Sequence, residues 1–181
     1  MNFLGGWLRI GRVFTNATNI GSYSGDSIIS TKFSDLRKAE SQNFLLDGNK
    51  FSDLKSLIGF NEYRVFCTKP YHNRTQHAIF SNTNQNSLPL FNYATDKSFS
   101  RPSNLCNALV FMPDDNSRIR SRPCNSLFSY TTDIYNRLYQ FIYYVPHHFH
   151  ISSWSKPRLE CDDKHGVSGY NLYGTWFYYV R

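Results

Sequence analysis

Apolar and polar residues alternate with period two near both ends of this chain and again before its middle, the pattern of strands that bury one face. The run Gly6-Trp7-Leu8-Arg9-Ile10-Gly11-Arg12-Val13-Phe14 predicts an opening strand after a Gly-Gly turn. From Glu62 the alternation sets Tyr63, Val65 and Cys67 on one side of a strand and Arg64, Phe66 and Thr68 on the other, until Lys69-Pro70 stops it. Gly174-Thr175-Trp176-Phe177-Tyr178-Tyr179-Val180-Arg181 predicts a closing strand behind the Gly-rich loop Gly166 to Tyr170. Between these, Gln76 to Ser81 and Leu88 to Tyr93 are expected as two strands of a hairpin, joined by the Asn-rich turn Asn82 to Ser87. Ala108 to Met112 reads as a short apolar strand leading into the turn Pro113-Asp114-Asp115-Asn116. The aromatic run Leu138 to Val145 suits a strand buried on both faces, although its period also admits a core helix.

Helical signals are few. Phe33-Ser34-Asp35-Leu36-Arg37 and Phe51-Ser52-Asp53-Leu54-Lys55 echo one another, and in each a Ser or Asp can cap the free N–H groups of a helix start. In the second, Leu54, Leu57 and Ile58 share one face before Gly59 ends the turn. The polar stretch Thr15 to Ser30 reads as turn and loop. The expected fold class is therefore α+β: β-rich, mainly antiparallel, with a few short helices and long loops. With 181 residues, one domain spanning 1–181 suffices and is large enough for a core.

Composition agrees with this. Aromatics make up 17% against 18% charged residues, so strand formers outweigh the residues of long solvated helices. The formal net charge of +7 suits an acidic glycan, an anionic surface or nucleic acid. Because the Lys and Arg are scattered instead of lying on one helix or stripe, nucleic acid is not the expected partner. No apolar run is long enough for a transmembrane helix, and no signal peptide stands at the start. An extracellular location is expected, with the export signal on a segment preceding this chain.

That location rests on cysteines and sequons. Cys67, Cys106, Cys124 and Cys161 contain no C-x-x-C pair, which argues against zinc-ribbon and thioredoxin-type sites. Four cysteines allow three pairings; the nested one, Cys106 with Cys124 inside Cys67 with Cys161, is favoured because the inner pair is close in sequence. Closing the inner loop would remove about 3 kcal/mol of unfolded-chain freedom. Four reduced thiols in a cytosolic domain are the alternative. Asn16-Ala17-Thr18 and Asn73-Arg74-Thr75 are N-glycosylation sequons in turn-like surroundings, so Asn16 and Asn73 are candidate glycan carriers.

Candidate chemistry is limited. In His147-His148-Phe149-His150 only His148 and His150 could share a strand face, and no carboxylate follows until Glu160, so a metal there is not expected. No G-x-S-x-G elbow or Cys-His signature frames a nucleophile, and no catalytic residue is expected; a secreted hydrolase is the least favoured function. The pairs Asp114-Asp115 and Asp162-Asp163 are ordinary solvated turns or, if the two turns converge, a calcium site, since that ion takes about six to eight oxygens and neither pair supplies them alone. Tyr170, Asn171, Tyr173 and Trp176 have the aromatic and amide character of a sugar platform, or belong to the core.

Several of these stretches together, Gly5-Gly6-Trp7, Lys69 to Thr75, Pro113-Asp114-Asp115, Cys161-Asp162-Asp163 and the terminal W-F-Y-Y-V-R, give a chain that resembles a divergent fibrinogen-related domain. It is similar in particular to secreted and skeletal-matrix-type proteins of cnidarians that begin with a G-G-W segment. The resemblance implies a secreted recognition or adhesion module, in a family whose members are often calcium-assisted lectins. The expected function is an extracellular domain binding glycans or matrix partners, with calcium as the candidate cofactor at Asp114, Asp115, Asp162 and Asp163 and a ligand rim at Tyr170, Asn171 and Tyr173. A structural matrix or coat module is the alternative.

Overall fold

The structure is a computed structural model that describes residues 6–16, 28–96, 98–100, 102, 107–118, 120, 149–152, 158–162 and 173–181. A seven-stranded sheet dominates it. In chain order the elements are β1 (Leu8–Thr15), β2 (Ile29–Ser30), a 3-10 helix (Phe33–Glu40), β3 (Phe44–Leu46), a 3-10 turn (Gly48–Lys50), α1 (Phe51–Ile58), β4 (Glu62–Lys69), β5 (Arg74–Ser81), α2 (Leu88–Thr95), β6 (Val110–Phe111), β7 (Phe149–Ser152), β8 (Arg158–Cys161) and β9 (Gly174–Val180). The strand order is β2-β3-β1-β9-β4-β5-β6, all neighbours antiparallel except β2 with β3, while β7 and β8 form a separate antiparallel pair. The expected α+β, mainly antiparallel class is the one observed.

The last strand of the chain occupies the middle of the sheet. β9 pairs with β1 on one side, from Leu8↔Val180 to Thr15↔Gly174, and with β4 on the other, from Tyr63↔Val180 to Thr68↔Thr175. Its alternation therefore governs both faces. Trp176, Tyr178 and Val180 are buried and meet Val13, Val65, Tyr63 and Cys67 in one core; Phe177 and Tyr179 point to the opposite face and are half-buried. A register irregularity between Arg9 and Gly11 adds one residue to β1.

The helices cover the core face through aromatic contacts. Phe51 of α1 lies against Phe60 and Tyr63, Tyr63 against Phe80 at 4.9 Å between ring centroids, and Phe91 of α2 against Phe60 and Phe80. α1 ends where expected: Gly59 takes the left-handed conformation, φ 65°, and its N–H donates to the Lys55 carbonyl. Neither echoed Ser-Asp pair caps its helix. Asp35 accepts the Ser30 hydroxyl and pairs with Lys38, Asp53 pairs with Lys50, and the N-terminal capping is done upstream by Asp47, which accepts from the Asn49 N–H. Leu54 is buried, but Leu57 and Ile58 are exposed, so the three do not share the buried face.

Two expectations are corrected. Leu88 to Tyr93 is not a strand: it opens α2, and β5 pairs instead with β4 and β6. Pro89 explains this, since a proline fits the first helical turn, where its missing N–H is no loss, and would break a strand ladder. The apolar residues that follow, Leu90, Phe91 and Ala94, are spaced for one helix side and are all buried. In the stretch read as loop, Ile29–Ser30 forms the parallel edge strand β2, because the buried run Phe44–Leu46 offers it a partner. The expected strand at Ala108 to Met112 is present as Val110–Phe111, and the run Leu138 to Val145 lies outside the described residues.

Gly174 is where β9 meets the β4 end most closely. A Cβ there would stand 2.8 Å from Trp176 Cη2, 2.9 Å from Lys69 Cγ and 2.9 Å from the Thr68 carbonyl oxygen. Trp176 and Lys69 are both fully buried, so neither can swing aside. Gly174→Ala is expected to destabilise the fold by about 1–3 kcal/mol, the usual cost of overpacking, read as a lower denaturant midpoint.

Candidate functional site

Two neighbouring regions concentrate the polar chemistry: the acidic turns around the start of β5, and the sheet face opposite α1 and α2. They meet at His77.

Cys67 of β4 and Cys161 of β8 form a disulfide with Cα atoms 5.9 Å apart, joining the large sheet to the β7–β8 pair. Both are fully buried. This is the outer pair of the nested pairing; Cys106 and Cys124 lie outside the described residues. The bridge closes a sequence separation of 94 residues. On the loop-entropy account a closure of that length contributes about 2–5 kcal/mol. Cys67→Ala with Cys161→Ala is expected to lower the urea midpoint accordingly, and reductant to shift the wild type in the same direction by more than it shifts the double variant.

Beside the bridge, Asp162 is fully buried and held in the left-handed region at φ 53°. Its carboxylate accepts from Arg74 Nε at 2.6 Å and from the Arg118 backbone N–H at 2.9 Å, while its carbonyl accepts from Arg74 Nη2 at 2.6 Å. Asn116 brackets Thr75, donating its N–H to the Thr75 carbonyl and accepting the Thr75 N–H on Oδ1. Asp115 is buried as well: Oδ2 accepts the His77 N–H at 2.6 Å, and Oδ1 accepts both the N–H and the hydroxyl of Ser117. Burial pushes its carboxyl above the usual range despite these donors. Asp114 is mostly exposed and accepts from His77 Nδ1 on Oδ1 at 2.5 Å.

The turns carrying Asp114-Asp115 and Asp162 thus converge, as a shared site requires, on the first residues of β5. Their oxygens are engaged there by N–H and O–H donors. Among the described residues no group of three or more His, Cys, Asp or Glu side chains is arranged to hold a metal ion. Asp163, Tyr170 and Asn171 lie outside the described residues; Tyr173 is exposed just before β9, and Trp176 belongs to the core. Asn73 is exposed in the β4–β5 turn with φ 51°, and Asn16 directly follows β1. Of the histidine cluster, Phe149 and His150 lie in β7, and His147 and His148 lie outside the described residues.

The sheet face was not foreseen. Arg9, Tyr179, Arg64 and Ile79 are successive cross-strand partners on β1, β9, β4 and β5, and Arg12, Phe177, Phe66 and His77 form the next row. Arg9 lies over Phe177 and Tyr179, with Cζ 4.7 Å and 5.4 Å from the ring centroids; Arg64 lies over Tyr179 at 5.1 Å and Trp7 at 5.6 Å; Arg181 lies over Trp7 at 4.6 Å. Phe66 stacks on Phe177 and meets His77 edge-on. Arg9 and Arg12 each donate Nη1 to a carbonyl at the end of the first 3-10 helix, Ala39 and Glu40. Guanidinium groups over rings are worth about 0.5–2 kcal/mol each and fix the orientation of the charged plane. The one available sequence signal was the polar phase of the alternation, in which Arg9, Arg64, Phe66, Phe177 and Tyr179 fall opposite the core residues.

His77 links the two regions. Its Nε2 accepts from Arg64 Nε at 2.6 Å, which places the proton on Nδ1, where it is donated to Asp114. Burial, then the Arg64 charge, outweighs Asp114 and Asp115 and holds the imidazole below its ordinary value. A depressed histidine contributes stability that is complete above its unfolded value of 6.5 and is lost as pH falls below it, because the unfolded chain takes up a proton that the folded chain refuses. Between about pH 7.5 and about pH 5.5 the wild-type denaturant midpoint is expected to fall more steeply than that of His77→Gln. Asp115 acts in the opposite sense only at lower pH, in the carboxylate range, where its raised value favours the folded state as acid increases.

No family model, no curated protein and no solved structure matches this chain. The site is therefore read from its own chemistry.

Proposed function

We propose that this chain is an extracellular recognition domain that binds glycans, and that the arginine and aromatic face of the sheet is its binding surface. The observation that carries the reading is the double row of half-buried rings and guanidinium groups on β1, β9, β4 and β5. Sugars offer apolar C–H faces ringed by hydroxyls, which suit flat ring surfaces edged with N–H donors. The Cys67–Cys161 bridge fits an oxidising compartment, and among the described residues no helix is long and apolar enough to cross a membrane. The exposed sequon at Asn73 and the resemblance of the Gly-Gly-Trp opening to fibrinogen-related domains point the same way. Calcium, if it contributes, would act through the converging turns of Asp114, Asp115 and Asp162.

A glycan array probed with and without a chelator tests this. Binding to a defined subset of glycans is expected. A correctly folded protein that binds no glycan under either condition would overturn the reading and leave a structural matrix module. Binding that disappears with the chelator would place a cation in the site.

A further inference from the structure

Resting on that reading, we propose that the ligand of this face is an acidic polysaccharide and that Arg64 is the group that takes its sulfate or carboxylate. Arg9, Arg12, Arg64 and Arg181 put four guanidinium groups on or beside the face. Two carboxylates beside them are already paired: Glu62 accepts from Arg181 and Asp114 from His77. The remaining field is positive, in keeping with the formal net charge of +7.

Arg64 differs from its neighbours in what it leaves open. Arg9 and Arg12 each commit one Nη to a backbone carbonyl and bury an Nε–H that has no partner among the described residues, and Arg181 is bound to Glu62. Arg64 commits only Nε, to His77, and lies over Tyr179 and Trp7. Neither of its Nη atoms has a hydrogen-bond partner among the described residues, and neither is buried. The result is a guanidinium fixed from below by two rings and from the side by an imidazole, with its terminal N–H edge free for a planar or tetrahedral anion. A neutral sugar could give that edge only single uncharged hydroxyl acceptors, weaker than the paired charged oxygens of a sulfate or carboxylate.

His77 and Asp114 act as positioning residues. The charged and titratable groups facing His77 are Arg64 from β4 and, from the segment after β6, Asp114 and Asp115, the carbonyl of the latter accepting from Arg120. Asp114 holds the proton on Nδ1, which keeps Nε2 bare for Arg64. An imidazolium would set an N–H against the Arg64 Nε–H, two donors and two positive charges, and Arg64 would lose its place.

The test measures binding of the full chain to heparin, to alginate as a uronate polymer without sulfate, to neutral dextran and to a dT oligonucleotide. Heparin, alginate or both are expected to bind, and the arms separate sulfate from carboxylate. Arg64→Gln is expected to weaken that binding by about tenfold or more; Arg64→Lys, which keeps the charge and loses the fork, by less. Arg37→Gln, on the exposed first 3-10 helix, should leave it unchanged. Affinity should fall as acid protonates His77, and Asp114→Asn should weaken binding at neutral pH although it makes the protein more positive. Dextran binding as tightly as heparin would sink this inference and leave the glycan reading standing. Tighter oligonucleotide binding, or an Arg64→Gln effect no larger than that of Arg37→Gln, would overturn the assignment of ligand and residue. Affinity that rises with acid would show that bulk charge, not a positioned Arg64, does the binding.

Discussion

The constraint on which this structure depends is that its final strand is its central one. β9 exchanges backbone hydrogen bonds with β1 and β4 along nearly its whole length, so neither half of the sheet is complete without the last residues of the chain. Arg181 adds to the closure: its N–H and carbonyl bond the backbone around Asn61 and Glu62, and its guanidinium pairs with the Glu62 carboxylate. Because β1 and β9 come from opposite ends of the sequence, the loop entropy of bringing them together must be offset by what the pairing buries. Trp176, Tyr178 and Val180, all fully buried, supply that apolar area.

The same strand sets the character of the opposite face. A residue in phase with Trp176 meets hydrocarbon, whereas one out of phase meets a layer in which Trp7, Phe177 and Tyr179 lie under guanidinium groups and Phe66 stacks on Phe177. Rings there could not be left bare without exposing a large apolar patch. The arginines cover them while keeping their own charge in contact with water. A surface of this kind is rigid, because each charged group is held by rings or by a backbone carbonyl before any ligand arrives. Rigidity lowers the ordering cost of binding.

At the edge of that face, acidic side chains work as internal fasteners. Asp115, Asp162 and Asn116 tie Arg74, Thr75 and His77 at the start of β5 to two separate segments of chain. A buried carboxylate is costly unless it is paired, and here each accepts several donors. The Cys67–Cys161 bridge holds the Asp162 segment against the sheet, so the covalent and polar links support one another.

Much of this was legible in the sequence. Alternation in Tyr63 to Thr68 and in Trp176 to Val180 determined two strands and the side each residue takes, because a strand offers its side chains only two directions. Gly59 determined the end of α1, since few other residues accept a positive φ without strain. Pro89 carried the helical signal of α2 and was outweighed by an apolar run whose length suits either element. Other matters belonged to the tertiary structure alone. Strand order cannot be read from period, because any half-buried strand can lie beside any other. The nested pairing already named Cys67 with Cys161, but the contact that allows it, β8 reaching β4, is a proximity that spacing does not encode. Arg9, Arg64 and Arg181 look scattered along the chain and become one charged face only when β1, β9 and β4 align in register, since a sheet gathers in space what the sequence separates.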